Sequence, residues 1–580
     1  MALSSGVKRA SERLLPTATR TRLEAERREA GAAEAERRRA EKIARKRREL
    51  LEADPDLRVQ QVDGAELLGR AVTSFTAAGA SARNLRLVTD ALAHAGIDHF
   101  LVRGRSPLRH VVGVHRSDKK RLLDTMRELY GTSALYAVKP GTGGVVAAAS
   151  AYVDGALDEK VKAGLVIRFA ERLLSPGGRE LAGFEFGCDV EFWREGAKIL
   201  EHEDSEGQRA KLRAQAPEEV LADSWVAPRR NRVADVLPAA ARKPATVVVA
   251  EREYPTFEPF TWTPVDEVTF PVDVVYTWVD GDDPAHAAER ARHRGEGYTP
   301  LAAGASRFTS RDELRHSLRS VEMYAPWVRH VYLVTDAQVP AWLEASAAGI
   351  TVVDHRDILP ESALPTFNSH AIETGLHRIK GLSEHYLYFN DDVFPARPVG
   401  ADRFFHGSGV ARLPFSPHQF GVGEPVAGEA APNSAGKNVR ELPAADFGRH
   451  ITHKFKHIPH PQIRSVLTEL EERYAEAIDR TAHARFRGLA DVAVAATLHH
   501  HYALFTGRAV PGEYAMRYID IGAAEAEERL AALEADPGVE FFCLNDFDTP
   551  PERREEVTAM VHRVLADRFP FPSRFEKPGV

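Results

Sequence analysis

Two adjacent carboxylates, Asp391 and Asp392, follow the run Tyr386-Leu387-Tyr388-Phe389-Asn390 and are typed for metal and phosphate chemistry. Oxygen ligands at a strand end suit a hard divalent cation, Mg²⁺ with Mn²⁺ as the alternative, which keeps positions open for the phosphates of a nucleotide-sugar. The competing reading is a surface turn. Downstream, His450, His453, Lys454, Lys456, His457 and His460 crowd together. Histidine titrates near neutral pH, so this set reads as an electropositive pocket holding a base for an attacking hydroxyl. His453 and His457 have the spacing of a zinc pair, but Pro459 and the lysines argue against a closed zinc cage. Arg487 offers either a bidentate phosphate clamp or a surface salt bridge. The run His499-His500-His501 reads as a helix end with no function required. Asp189 and Glu191, on one face of an alternating strand, read as structural rather than metal-binding.

These groups need elements that bring them to one place. Val272 to Val279 is a β-rich run ending in Asp280-Gly281-Asp282-Asp283-Pro284. A helix from about Ser310 puts Leu314, Leu318 and Val321 on one face, and Pro326 closes it. Strands Val328 to Thr335 and Ile350 to Val353 end at Asp336 and Asp354. A helix from Ser369 to Lys380, capped by Asn368 or Ser369 and stopped by Gly381, carries Glu373 just before the Asp-Asp strand. Ile463, Val466, Leu467, Leu470, Tyr474 and Ile478 form a continuous helical stripe, and Phe541 to Leu544 is a buried strand ending in Asn545-Asp546. Strand and helix alternate with acids at several strand ends, so the fold class is α/β, a mostly parallel sheet with its carboxyl edge as the active face.

The remainder reads as support. A charged helical or disordered arm, 1–54, has 15 basic and 8 acidic side chains in its first 50 residues. It is a solvated extension or, alternatively, a basic arm that touches anionic lipid. Residues 55–250 form a mixed α/β accessory domain, with helices at Leu85 to Ala95 and Lys119 to Leu129 and strands at His99 to Val102, Val111 to Val114 and Cys188 to Trp193. The Pro- and Thr-rich stretch from Ala239 to Pro271 contains a linker, 251–271, and 272–575 is the catalytic domain. A charge of −7 over 580 residues makes no case for nucleic acid as a partner. Two distant cysteines, Cys188 and Cys543, suit a reducing compartment. The longest apolar stretch, around Val145 to Val153, is far short of the roughly 20 residues of a membrane span. The expected location is cytoplasmic, with any membrane contact peripheral or through a polysaccharide-assembly partner.

Four ordered blocks carry a resemblance. They are Asp273 to Gly281; Arg307-Phe308 through Glu313 to Ser320, Ala325 to Val328 and Leu364 to Glu373, on to Asn390-Asp391-Asp392; His457-Ile458-Pro459-His460 with Arg487; and Cys543 to Asp546. Over about 275 to 550 the chain resembles the Stealth-type hexose-1-phosphotransferases, a family of bacterial capsule polymerases that includes the animal GlcNAc-1-phosphotransferase. The resemblance implies transfer of a hexose-1-phosphate from a nucleotide-sugar to a hydroxyl of an acceptor polysaccharide. It implies Asp391 and Asp392 on a divalent cation, with Asp280, Asn545 and Asp546 as helpers. Arg487 and Arg311 would neutralise phosphate, His457 would be the base with His460 second, and Glu373 and Asn368 would serve the substrate. Asp312 stands where the family often has Asn, and His460 where many bacterial members have Tyr, which puts substrate fit in doubt. Two rivals are an ordinary glycosyltransferase, which would release a nucleoside diphosphate, and a non-catalytic glycan-binding protein.

Overall fold

The computed structural model describes residues 17–212, 216–293, 310–547 and 549–579. The first 16 residues of the arm, Arg307 and Phe308 of the second block, and Asp548 lie outside the described residues. Two compact units divide the chain: Met1–Val72, Ser81–Leu174 and Glu180–Thr261 form one, and Thr73–Ala80, Ser175–Arg179 and Trp262–Val580 form the other. Among the described residues no helix is long and apolar enough to cross a membrane.

In the first unit, Thr17–Ala53 is one helix of 37 residues. Exposed i, i+4 pairs such as Glu34 with Arg38 line it. A ten-stranded mixed sheet follows, with Cys188–Glu195 at its middle. Cys188, Val190 and Phe192 pack on Leu85, Val88, Leu122 and Met126 from two helices, Ala77–His94 and Lys119–Tyr130. Strand alternation turns Asp189 and Glu191 to the other face. There Asp189 accepts from Arg168 at 2.6 Å and Arg229 at 2.7 Å, and Glu191 accepts from Arg229 at 2.7 Å. The sequence stretch read as a linker is structured at its start. Arg252–Phe257 is a strand hairpinned on Pro244–Val249, with Ala250 and Glu251 at positive φ in the turn.

The second unit is built on a five-stranded sheet. Its first strand, β1 (Val272–Thr277), leads to helix α1 (Pro284–Arg292) and then α2 (Glu313–Tyr324). Next come β2 (Val331–Thr335), β3 (Ile350–Asp354), the one-turn helix α3 (Ser369–Glu373) and β4 (His385–Asn390). A short β5 (Val393–Pro395) and then β6 (His460–Ile463) follow. Helices α4 (Arg464–Arg473), α5 (Ala475–Ala482) and α6 (His499–Phe505) precede β7 (Met516–Asp520) and β8 (Phe541–Asn545). Helix α7 (Arg554–Arg568) comes after them.

The sheet order is β3-β2-β1-β4-β6. The first four strands are parallel and β6 runs antiparallel beside β4. A second sheet, β5-β8-β7, joins one antiparallel and one parallel pair. The expected mostly parallel sheet is therefore corrected to a mixed one, because the chain re-enters antiparallel at the free edge of β4. The strand order reverses between β1 and β4, and Thr277 is in register with Asn390. That juxtaposes their carboxyl ends, where open α/β sheets bind ligands.

Two helices are shorter than their apolar patterns predict. The helix expected over Ser369 to Lys380 stops at Glu373 and resumes as a 3-10 turn at Leu376–Arg378. Gly375 sits between them, so close to the chain that a Cβ would lie 2.5 Å from Ile358 O. The stripe from Ile463 to Ile478 is also split: Ile463 belongs to β6, and Tyr474 leaves helical geometry between α4 and α5. The Tyr474 hydroxyl donates to Asp446 there.

Candidate active site

The turn after β4 carries Asp391 and Asp392, both partly exposed. Pairing of β5 with β8 sets Val393 opposite Cys543, and Leu544 N donates to Asp392 O at 3.0 Å. The fourth block is thereby fastened to the second. Cys543 Sγ donates to Asp392 Oδ2 at 3.2 Å and Asn545 Nδ2 does so at 3.3 Å. His457, from the loop before β6, places Nε2 3.4 Å from Asp392 Oδ1 and 3.4 Å from Asn390 Nδ2.

The two carboxyls are pushed in opposite directions. Burial, with Asp392 and Glu313 adding to it, holds Asp391 well above the usual carboxylate range. Asp392 faces burial too, but the His457 charge and the bonds from His457, Cys543 and Asn545 outweigh it and keep its pKa low. For His457, burial acts downward and Asp392 overcomes it, so its pKa is raised. Glu313, at the start of α2, is raised by burial as well. Sequence reasoning quoted Glu313 without a role; its charge reaches both aspartates.

Asp391, Asp392 and Glu313 thus gather negative charge that the protein does not fully neutralise, which is the electrostatic condition for a bound cation. One group of potential ligands, Asp392, His457 and Cys543, has its donor atoms within 4.8 Å of one another. That donor set is compatible with a divalent cation. Cys543 opens the fourth block but has no role assigned there, because a lone cysteine in a strand looks like core.

Glu373 is buried and its pKa is raised by burial, with His370 and Arg487 opposing. It accepts from Tyr388 OH at 3.4 Å and from Ala495 N at 3.3 Å. Arg487 donates to Ser369 Oγ at 2.6 Å. The charges of both Glu373 and Arg487 act on His457, so the structure brings these three together. His460 lies on β6 with its ring centre 6.3 Å from that of His457. Burial, aided by His457 and His499, depresses its pKa to about 3.

Other candidates are placed differently. Arg311 pairs with Asp546 at 2.5 Å, and Asp546 also accepts from Thr549 N and Oγ1. These two residues tie the start of α2 to the end of β8. Asn368 caps α3 and spends its amide on Ala484 O at 3.0 Å and Asp491 Oδ2 at 2.9 Å. Asp280 closes the end of β1, where its N–H donates to Gln338 Oε1 at 2.9 Å. Asp312 has φ +60°, a left-handed conformation that Asp and Asn tolerate well, so Asp in place of Asn leaves the backbone unharmed.

The basic set around His457 does not assemble as one pocket. Lys456 Nζ donates to Tyr514 O at 2.7 Å, Lys454 lies over the Phe420 ring, and His450 and His453 are exposed. The triplet His499-His500-His501 opens α6 and is buried.

Comparison with known proteins matches the four sequence blocks. Profiles of Stealth protein conserved regions 1, 2, 3 and 4 match residues 270–298, 307–413, 456–504 and 531–579. The chain is 40% identical over 496 residues to exopolysaccharide phosphotransferase SCO6023 of Streptomyces coelicolor, spanning 85% of this chain and 82% of that protein. SCO2594 of the same organism, also an exopolysaccharide phosphotransferase, is 39% identical over 92% of this chain and 90% of its own. Exopolysaccharide phosphotransferase CpsY of Mycobacterium tuberculosis is 33% identical over 88% and 91%. Four matches in order, with relatives aligned along nearly the whole chain, show that this protein belongs to the Stealth family.

Proposed function

We propose that the protein transfers a hexose-1-phosphate from a nucleotide-sugar to a hydroxyl of an acceptor glycan, making a phosphodiester in exopolysaccharide or capsule synthesis. The observation that carries this reading is the under-neutralised trio Asp391, Asp392 and Glu313 beside His457. Phosphoryl transfer needs this kind of positioning and charge control more than covalent help. A divalent cation, Mg²⁺ by the preference of a hard ion for carboxylate oxygen, would be held by Asp391 and Asp392 and would neutralise diphosphate charge.

The acceptor oxygen forms a bond to the phosphorus bearing the sugar, and that phosphorus loses its bond to the nucleoside monophosphate. His457 takes the hydroxyl proton. Its elevated basicity, set by Asp392, supports this role, whereas His460 is too weak a base. Arg487 faces the phosphate and Glu373 orients a sugar hydroxyl. Arg311 with Asp546, Asn368, Asn545 and Asp280 act as positioning residues around them. The 251–271 and 1–54 boundaries, and a cytoplasmic place beside the membrane where polymer is assembled, belong to the same proposal.

The test is a donor screen with purified protein, Mg²⁺, several nucleotide-sugars and an acceptor glycan, identifying the released nucleotide. We expect nucleoside monophosphate, lost on adding a chelator. Release of diphosphate would make the protein an ordinary glycosyltransferase.

A further inference from the structure

Three buried histidines, His499, His500 and His460, form one hydrogen-bonded chain whose directions follow from its fixed end. The backbone N–H of Ile463 donates to His499 Nε2 at 2.9 Å. A backbone amide can only donate, so this nitrogen accepts and the His499 proton sits on Nδ1. His499 Nδ1 is 3.2 Å from His500 Nδ1, which must therefore accept, leaving the His500 proton on Nε2. His500 Nε2 is 3.0 Å from His460 Nδ1, which accepts in turn. The His460 proton is left on Nε2. Ile463 O also lies 3.3 Å from His499 Nε2, but a proton there would face the Ile463 N–H.

A charge on any ring would set two N–H groups against each other, in rings that are 0%, 0% and 4% exposed. All three are therefore neutral. Among the described residues no hydrogen-bond partner faces His460 Nε2, although the ring neighbours His457. This N–H is not sealed from solvent, so the protein leaves it to water or to the acceptor of a ligand.

We propose that the His499–His500 pair locks His460 as a neutral Nε2–H donor to a phosphate oxygen of the bound nucleotide-sugar. His460 then contacts substrate, and His499 and His500 are positioning residues. The identity of the ligand rests on the phosphotransfer reading; the proton positions do not. A neutral donor of fixed direction keeps its proton near neutral pH and can follow oxygen charge as it grows in the transition state.

Neutron diffraction from crystals of the full chain reads the proton positions without any assay. Deuterons are expected on His499 Nδ1, His500 Nε2 and His460 Nε2. A deuteron on His460 Nδ1, or on both its nitrogens, overturns the lock. The ligand half is read by titrating inorganic pyrophosphate in the presence of Mg²⁺. His460→Phe and His500→Leu should each weaken binding about tenfold, the worth of one hydrogen bond to a charged group. His460→Gln, which keeps an N–H near the same place, should stay within about threefold of wild type. His501→Leu serves as the packing control, since His501 is equally deep but bonds only Thr497 O. Equal losses in His501→Leu and His500→Leu, no pyrophosphate binding by wild type, or unchanged affinity in His460→Phe would each overturn the proposal. None of these outcomes depends on which nucleotide the donor screen releases, so the two readings fail separately.

Discussion

Each unit holds a pair of close carboxylates, one pair on the strand Cys188–Glu195 and the other in the turn after β4, and the pairs have opposite surroundings. In the first unit Asp189 meets Arg168, Arg229 and, at 3.4 Å, Arg109. Burial alone would raise it, but Arg168 and Arg229 hold it below the usual range. Glu191 shares Arg229 and rises only to about 6 against its burial. In the second unit Asp391 has Asp392 and Glu313 as its main electrostatic neighbours, and both raise it. Carboxylates matched by arginine hold a fold together; carboxylates left in excess wait for a ligand.

The largest expected effect is on turnover. His457→Ala should lower kcat by roughly 10²–10⁴-fold if it is the base; a rate within a few-fold of wild type would remove it from that role. Asp391→Asn should cost about 10²–10³-fold in kcat, as for the loss of one transition-state electrostatic partner. Its stability should move the other way. A carboxyl raised by the fold disfavours folding once pH exceeds the ordinary carboxyl value of about 4. The Asn variant should therefore unfold at or above the wild-type temperature at pH 7, with the difference vanishing below about pH 4.

Asp189→Asn is the mirror experiment. It strands Arg168 and Arg109 and should cost about 3–5 kcal/mol of stability, measured by denaturant unfolding. Equal stability changes at Asp189 and Asp391 would break the comparison. Glu576 sharpens it within the second unit, because Arg315 and Arg319 match that buried carboxylate at 2.5 and 2.7 Å. Despite burial, these arginines and Ser573 N–H depress its pKa to about 2. Its stabilisation is present above the ordinary glutamate value of about 4.3 and is lost as pH falls toward about 2. Glu576→Gln should accordingly destabilise the protein at pH 7 by about 1–3 kcal/mol, with the gap narrowing over that acid range in melting curves.

Much of the second unit was readable because strand ends and acids coincide in the sequence. Val272 to Thr277, Ile350 to Val353 and Tyr386 to Phe389 are apolar runs of strand length, and each is a strand. Helix lengths were less legible. Apolar spacing across Gly375 and Tyr474 continues a helical pattern, while a close backbone contact at one and a side-chain bond at the other break it. His453, four residues before His457, is exposed and lies outside the group formed by Asp392, His457 and Cys543.

By itself the sequence determined the order of the four blocks, the acids after β4 and the membership in a phosphotransferase family. Residue types and their spacing along the chain are local properties, and these follow from them. Only the tertiary structure decided which polar groups face one another. Arg311 is neutralised by Asp546, 235 positions away, and Cys543 reaches Asp392 across 151. Ile463 fixes the proton of a histidine 36 residues on. The charge of a carboxyl and the tautomer of an imidazole are set by neighbours within a few ångströms in space, and chain distance carries almost no information about those.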